Sequence, residues 1–163
     1  MENSNSKPSW MERQQAVLEQ GFGILNTMTS KTTKVYLAAD FSRKDEMRDI
    51  ADSLTTLGMD VVASWVYVPE KQDEGCPTLS AYAVKDLDDV DKCDVLVCFT
   101  YQRGVYMPTG GGRHVEVGYA LAKGKKVVII GPRENVFHHH PSVQVYETLG
   151  DWLVSGNNGP SSS

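Results

Sequence analysis

The sequence has few cysteines, no long apolar run and no excess of positive charge, and each absence excludes a class of protein. Three cysteines occur in 163 residues, an odd number whose spacing is not that of a zinc site (Cys76, Cys93 and Cys98). No apolar stretch reaches membrane-spanning length, and the first residues lack the apolar core of a signal peptide. We therefore expect a soluble, cytoplasmic protein with reduced thiols and no membrane partner.

The balance of charge is acidic rather than basic. The chain has 16 Lys and Arg against 21 Asp and Glu, which gives a formal net charge of -5, and both signs are mixed along its length. A surface that binds nucleic acid through bulk charge would be basic. We therefore expect no nucleic-acid polymer as a partner.

Apolar runs alternate with helical patterns through most of the chain. Strands are predicted at residues 34–39, 59–65, 94–99, 126–130 and 143–146. Helices are predicted at residues 47–57, 80–93, from the glycine run to Gly124, and 147–153. This alternation predicts a doubly wound α/β domain of about five parallel strands with helices on both faces.

Three regions follow from this assignment. Residues 1–33 are predicted to be an N-terminal helical extension, since residues 10–28 have an amphipathic pattern ahead of the first strand. Residues 34–154 form the α/β domain. Residues 155–163 are a low-complexity tail that is too polar to bury surface.

The strand-to-helix connections are the places to look for a site. In doubly wound sheets, ligands bind at the carboxyl ends of the strands, near the switch in strand order. Three segments are expected to converge there: Asp40–Arg43, Ser64–Val68 and Thr100–Glu116.

The third of these segments contains the sequence TGGGRHVEVGYA at positions 109–120. It matches neither the phosphate-binding loop nor the dinucleotide fingerprint. Glu116 has two interpretations here. It is either an acid that stabilises the first helical turn, which spacing alone favours, or a reactive carboxylate desolvated by the apolar neighbours Val115 and Val117.

Other candidate residues also have two interpretations. Asp88, Asp89 and Asp91 are predicted to form a solvated acidic face, from which the pattern alone hardly separates Asp86. The run His138–His140 is interpreted as a surface loop rather than a metal site, because adjacent side chains point in different directions. Trp65 suits either the core or stacking on a nucleobase. His114 is either a site residue or simply exposed, and the sequence favours neither interpretation.

Three stretches resemble one known family. They are YLAADFS at positions 36–42, KDL at 85–87 and VEVGYALAKGK at 115–125. Between about residues 34 and 152, the chain resembles the nucleoside 2-deoxyribosyltransferase-like family. The resemblance implies a flavodoxin-like sheet and cleavage of the N-glycosidic bond of (deoxy)nucleosides or their 5′-monophosphates. It further implies no metal or organic cofactor, and a homo-oligomer of at least two subunits.

The resemblance also assigns roles to residues. It makes Glu116 the nucleophile, Asp86 the residue that contacts the base, and Tyr36 the residue that orients Glu116. The expected substrate-binding residues are Asp40, Phe41, Ser42, Arg43, Trp65, Thr109, Gly110, Gly111, Gly112 and Arg113.

The chain departs from the family pattern before the nucleophile. The transferases have an acidic residue where this chain has Gly110, whereas the related nucleotide hydrolases have a small hydroxyl residue in the area, as Thr109 is here. The cations Arg43 and Arg113, together with the glycine amides, suit a 5′-phosphate better than an uncharged nucleoside. The alternatives are therefore a deoxyribosyltransferase-like enzyme, a 5′-monophosphate N-glycosidase and a non-catalytic nucleotide-binding module.

Overall fold

The computed structural model of the protein describes residues 32–68, 78–101 and 111–156. Its sheet has five strands, all parallel to their neighbours, in the order β2-β1-β3-β4-β5. The strands are β1 (Lys34–Ala38), β2 (Asp60–Val61), β3 (Val95–Phe99), β4 (Lys126–Ile130) and β5 (Val143–Tyr146). This order is the flavodoxin-like one, so the predicted fold class is confirmed.

Helices cover both faces of this sheet. They are α1 (Lys44–Thr56), α2 (Leu79–Lys92) and α3 (Gly112–Ala122). A separate helix, α4 (Leu149–Gly156), follows β5 in the chain. The connection from β1 to β2 moves toward one edge of the sheet, whereas the connections from β2 to β3 and from β3 to β4 move toward the opposite edge. Because such crossovers are right-handed, α1 lies on one face of the sheet, and α2 and α3 lie on the other. In agreement, α2 and α3 pack against each other and both contact β1.

The core lies along the central strands. Every residue of β3 is buried, as are Val35–Ala38 and Val127–Ile130. Central strands of a parallel sheet are covered on both faces, which explains why these segments are continuous apolar runs. From one side the apolar stripe of α1 completes this core with Met47, Ile50, Ala51 and Leu54, which recur at helical spacing.

The chain divides into two units, residues 30–147 with the whole sheet and a second unit that contains α4. At the start of α4, Thr148 and Asp151 cap each other reciprocally: Thr148 N–H donates to Asp151 at 3.0 Å, and Asp151 N–H to Thr148 Oγ1 at 3.1 Å. The predicted boundaries at residues 34 and 154 stay predictions. The N-terminal extension and the tail lie almost entirely outside the described residues.

The second strand is shorter than predicted. Pairing with β1 ends at Val61, and Ser64–Tyr67 forms a 3-10 turn instead of continuing the strand. The Trp65 indole N–H donates to Leu37 O at 2.8 Å, and Ser64 bonds to Asp89 on α2. These side-chain bonds hold the chain in a turn beside the sheet. The pattern of apolar residues in the sequence does not predict such bonds.

Two structural observations concern the expectations about membranes and thiols. Within the described ranges, no helix has the length and apolar character needed to cross a membrane. Cys93 and Cys98 are buried free thiols.

Gly131, which ends β4, has a backbone angle that other residues rarely adopt. Its φ is +110°, and a methyl group added there would lie 2.5 Å from Thr100 Oγ1. The hydroxyl of Thr100 is fixed, since it donates to Ile130 O at 3.2 Å. Gly124, at φ +66°, has open space where its side chain would be.

Gly131→Ala should therefore destabilise the protein more than Gly124→Ala does. We expect a loss of about 1 kcal/mol in the free energy of unfolding for Gly124→Ala and about 3 kcal/mol for Gly131→Ala, where the steric clash adds to the backbone strain. Urea denaturation followed by circular dichroism measures both. Equal losses of unfolding free energy in the two variants would contradict a specific steric clash with Thr100.

Candidate active site

A buried tyrosine and a glutamate meet at the carboxyl edge of the sheet. Tyr36 comes from the middle of β1 and is fully buried, and Glu116 comes from α3, which begins just after the connection from β3. The Tyr36 hydroxyl donates a hydrogen bond to Glu116 Oε1 at 2.9 Å. Glu116 is the fifth residue of α3, so it lies in the second turn rather than the first as predicted.

The surroundings of Glu116 favour its protonated form. Burial and, to a smaller extent, the negative charge of Asp86 raise the pKa of its carboxyl to about 7, against the hydrogen bond from Tyr36, which lowers it. Burial and the neighbouring carboxylates raise the pKa of Tyr36, so its phenol stays a neutral donor. Glu116 is thus a desolvated carboxyl held in one orientation.

Asp86 is the second carboxyl of this site. It projects from α2 and is half-buried, and it accepts no hydrogen bond from the residues that the structure describes. Burial and the charge of Asp89 raise its pKa to about 6, against the effect of Lys85. A carboxyl with a pKa of about 6, whose oxygens accept no hydrogen bond from the described residues, can donate a proton to a substrate near neutral pH.

Asp89 does not belong to a solvated face, so that prediction was wrong for this residue. It is 2% exposed, whereas Asp88 and Asp91 are exposed as expected. Its carboxylate accepts bonds from Ser64 N–H and Oγ at 3.2 and 2.5 Å, and from the ammonium groups of Lys85 and Lys92 at 2.8 and 3.0 Å. Ion pairing outweighs burial and lowers the pKa of Asp89, which therefore stays charged.

Phe41 and Trp65 lie together beside the site. Their ring centroids are 6.3 Å apart and their planes are tilted by 38°, the geometry of an aromatic pair in contact. Trp65 is 8% exposed, whereas Phe41 is 60% exposed and has Lys44 Nζ 5.7 Å from its ring. A base inserted between the rings would have to separate them, while the exposed ring of Phe41 is accessible as it stands.

Arg43 is already paired. Its guanidinium makes two bonds of 2.7 Å to Glu46 and a longer one, 3.3 Å, to Thr100 O. It also lies against the rings of Phe99 and Tyr101, at 5.7 and 5.9 Å. Burial lowers the pKa of Arg43, but the bonds to the Glu46 carboxylate outweigh it and raise the pKa overall.

Arg113 is buried between two carboxylates. Its Nη2 lies 3.1 Å from Glu134 Oε2, its Nη1 lies 3.9 Å from Asp40 Oδ2, and its guanidinium lies 5.1 Å from the Tyr101 ring. Asp40 also accepts the Ser42 hydroxyl at 2.6 Å, and such hydrogen bonds outweigh burial and lower its pKa. Arg113 therefore joins the ends of β1 and β4 to the start of α3.

The glycine run is described only in part. Thr109 and Gly110 lie outside the described residues, whereas Gly111 caps α3 and Gly112 is its first residue, both exposed. Gly111 O accepts from His114 N–H at 3.0 Å and Val115 N–H at 3.3 Å, so this end of the run is ordinary helix initiation.

A further cluster lies next to Glu134. One ligand atom from each of His114, Glu134 and His138 falls within 4.8 Å of the others. His138 is fully buried, so the predicted surface loop holds for His139 and His140 but not for His138. Burial lowers the pKa of both His114 and His138.

The bonds made by His138 Nδ1 and by Glu134 do not favour a metal ion in this cluster. Asn135 Nδ2 lies between the imidazoles, 3.2 Å from His114 Nδ1 and 3.3 Å from His138 Nε2. His138 Nδ1 accepts from Glu134 N–H at 3.2 Å, whereas a metal-bound imidazole normally donates from its other nitrogen. Arg113 occupies the carboxylate of Glu134 as well.

Sequence reasoning missed the acids that pair the two arginines. Glu134 follows β4, and Tyr101 N–H donates to it at 2.9 Å in addition to its bonds with Arg113. Because β4 is parallel to β3, its carboxyl end meets the same edge, so the strand pattern contained a signal for Glu134. Glu46 lies one helical turn after Arg43, which is also a readable spacing.

No known family model and no curated protein matches the chain. Among solved structures, it is similar to the CMP N-glycosidase BcmB of Clostridium botulinum, with 21% sequence identity and a TM-score of 0.53. The match covers 77% of this chain and 99% of that protein. At this level of identity the similarity establishes a shared fold.

Proposed function

We propose that the protein cleaves the N-glycosidic bond of a nucleoside or nucleoside 5′-monophosphate, with Glu116 as the nucleophile. The observation that carries the proposal is the pair of desolvated carboxyls, Glu116 and Asp86, at the carboxyl edge of the sheet, the first of them oriented by Tyr36 at 2.9 Å. Two carboxyls in different environments can take the roles of nucleophile and acid. The shared fold with a CMP N-glycosidase supports the same reaction class.

The reaction is a double displacement. A carboxylate oxygen of Glu116 forms a bond to the anomeric carbon while the bond from that carbon to the base nitrogen breaks, and the bonding electrons leave with the base. Asp86 donates its proton to the departing base. Water, or the nitrogen of a second base, then attacks the same carbon and releases Glu116 as a carboxylate, while its own proton passes to Asp86.

The choice between water and a second base separates hydrolase from transferase. We propose a deoxyribosyltransferase-like enzyme, with a 5′-monophosphate N-glycosidase as the close alternative that the fold of the CMP N-glycosidase favours. The base would stack on the exposed ring of Phe41. A 5′-phosphate would have to share Arg43 with Glu46 or Arg113 with Glu134, because both guanidiniums are paired.

A substrate panel tests the reaction and its type. The protein is incubated with deoxynucleosides, ribonucleosides and their 5′-monophosphates, with and without an acceptor base, and free base is measured by chromatography. Release without acceptor indicates a hydrolase, and exchange only with acceptor indicates a transferase. Thermal stabilisation by nucleotides without any turnover would favour a non-catalytic binding module and contradict the proposal.

Glu116→Gln should lower kcat/KM at least about 10³-fold, because the amide cannot form the glycosyl ester. Glu147→Gln, an exposed substitution of the same type, should leave turnover unchanged. Intact-mass spectrometry of acid-quenched wild type should show the glycosyl adduct, which Glu116→Gln should lack. Full turnover by Glu116→Gln would exclude this mechanism.

The pH profile of kcat/KM should be a bell with its maximum between about pH 6 and pH 7, the pKa values of Asp86 and Glu116. At lower pH both carboxyls are protonated and Glu116 cannot attack, and at higher pH both are ionised and Asp86 cannot donate. The hydrogen bond from Tyr36 lowers the pKa of Glu116. Glu116 has the higher of the two pKa values, so Tyr36→Phe should move the basic limb about one pH unit upward and lower kcat/KM about tenfold at pH 5, where Glu116 must first lose its proton.

Tyr119→Phe is the matched control. It removes a hydroxyl from the same helix as Glu116, one that donates to the exposed carboxylate of Asp91 at 2.9 Å. Its pH profile should equal that of the wild type. An unmoved basic limb in Tyr36→Phe would show that the Tyr36 hydroxyl does not set the ionisation of Glu116.

A further inference from the structure

Asp89 is a buried charge to which the proposed reaction gives no role. Its carboxylate is 2% exposed, yet it stays ionised because four donor contacts surround it, from Ser64 N–H, Ser64 Oγ and the ammonium groups of Lys85 and Lys92. A buried charge costs free energy even when it is fully bonded. A structural link alone would not require this cost, since an uncharged amide could accept from Ser64 equally well.

The neighbours of Asp89 show what it connects. Through Ser64 it fixes the 3-10 turn that contains Trp65, whose indole is tied in turn to β1 by the bond to Leu37 O. On α2 it lies three residues after Asp86, which places both carboxyls on the same helical face. The same charge thus holds the turn beside the site and lies one helical turn from Asp86, whose pKa it raises.

We propose that Asp89 is a positioning residue of the active site, which fixes the Trp65 turn through Ser64 and keeps the proton on Asp86 through its buried negative charge. This inference rests on the proposed function. A second negative charge close to Asp86 disfavours ionisation of that carboxyl. Asp89 also holds the ammonium of Lys85 at 2.8 Å, which draws this cation toward itself rather than toward the adjacent Asp86.

Other charged groups act on Asp86 from the packed elements. Lys85 opposes the effect of Asp89 from the same helix, while Glu116 on α3 is coupled to Asp86, and the Tyr36 phenol of β1 stays neutral. Glu116 and Tyr36 stay in place when Asp89 is replaced, so a displaced titration of Asp86 reports on the charge of Asp89 and on the Lys85 ammonium that Asp89 holds.

Asp89→Asn is the test, because the amide keeps the shape and an acceptor for Ser64 but removes the charge. Asp86 has the lower of the two pKa values, so the acidic limb of the pH profile should move about 0.5–1 pH unit downward, and kcat/KM at pH 8 should fall roughly 3- to 10-fold while kcat/KM at pH 4 stays close to that of the wild type. Asp88→Asn, the same change at an exposed position of α2, should leave the limb in place. Ser64→Ala should lower the melting temperature without moving the limb, since it weakens the link but keeps the charge.

Carbon NMR of carboxyl-labelled aspartate gives a readout that needs no turnover. The Asp86 signal, identified by its loss in Asp86→Asn, should titrate at a lower pH in Asp89→Asn than in the wild type. A wild type that turns over no substrate would refute the proposed function, and this titration would still decide the role of Asp89. An unmoved Asp86 titration, or a limb that moves equally in Ser64→Ala, would overturn the inference.

Discussion

The negative charge gathered at the carboxyl edge of a parallel sheet is the constraint on which this structure depends. Charged or hydroxyl donors hold four of the carboxylates there: Asp40, Glu46, Asp89 and Glu134. Glu116 has a single phenol as its partner, and Asp86 accepts no bond from the described residues. Because an ion pair keeps a carboxylate ionised whereas burial without one favours its protonated form, the two least paired acids are the two suited to chemistry near neutral pH.

The same pairing decides what the arginines do. Arg43 and Arg113 were expected to meet a phosphate, but each forms an ion pair with a glutamate of the chain. Arg113 is buried, so its pair joins strand ends to α3 and thereby fixes the helix that carries Glu116. A phosphate bound here would compete with these carboxylates for the guanidiniums. The free energy of binding a nucleotide would therefore include the free energy needed to separate the arginine–glutamate pairs.

The strand pattern predicted most of the fold because a sheet covered on both faces leaves continuous apolar runs at β1, β3 and β4. It failed at Trp65, where hydrogen bonds from two side chains replace strand pairing with a turn. Glu116, Asp86 and Tyr36 were named from the resemblance, and the structure brings Tyr36 and Glu116 into contact. Asp89 and His138 were misassigned because an acidic helix and a histidine run look solvated until their partners, distant in sequence, are known.

The sequence by itself determined the alternation of strands and helices, and with it the edge at which a site could form, since apolar periodicity is a local property. Tertiary structure alone decided which charges are paired. Tyr36 and Glu116 are 80 residues apart, and Asp89 and Ser64 are 25 apart. Ionisation depends on burial and on such partners, so two aspartates one helical turn apart, Asp86 and Asp89, have opposite shifts in pKa.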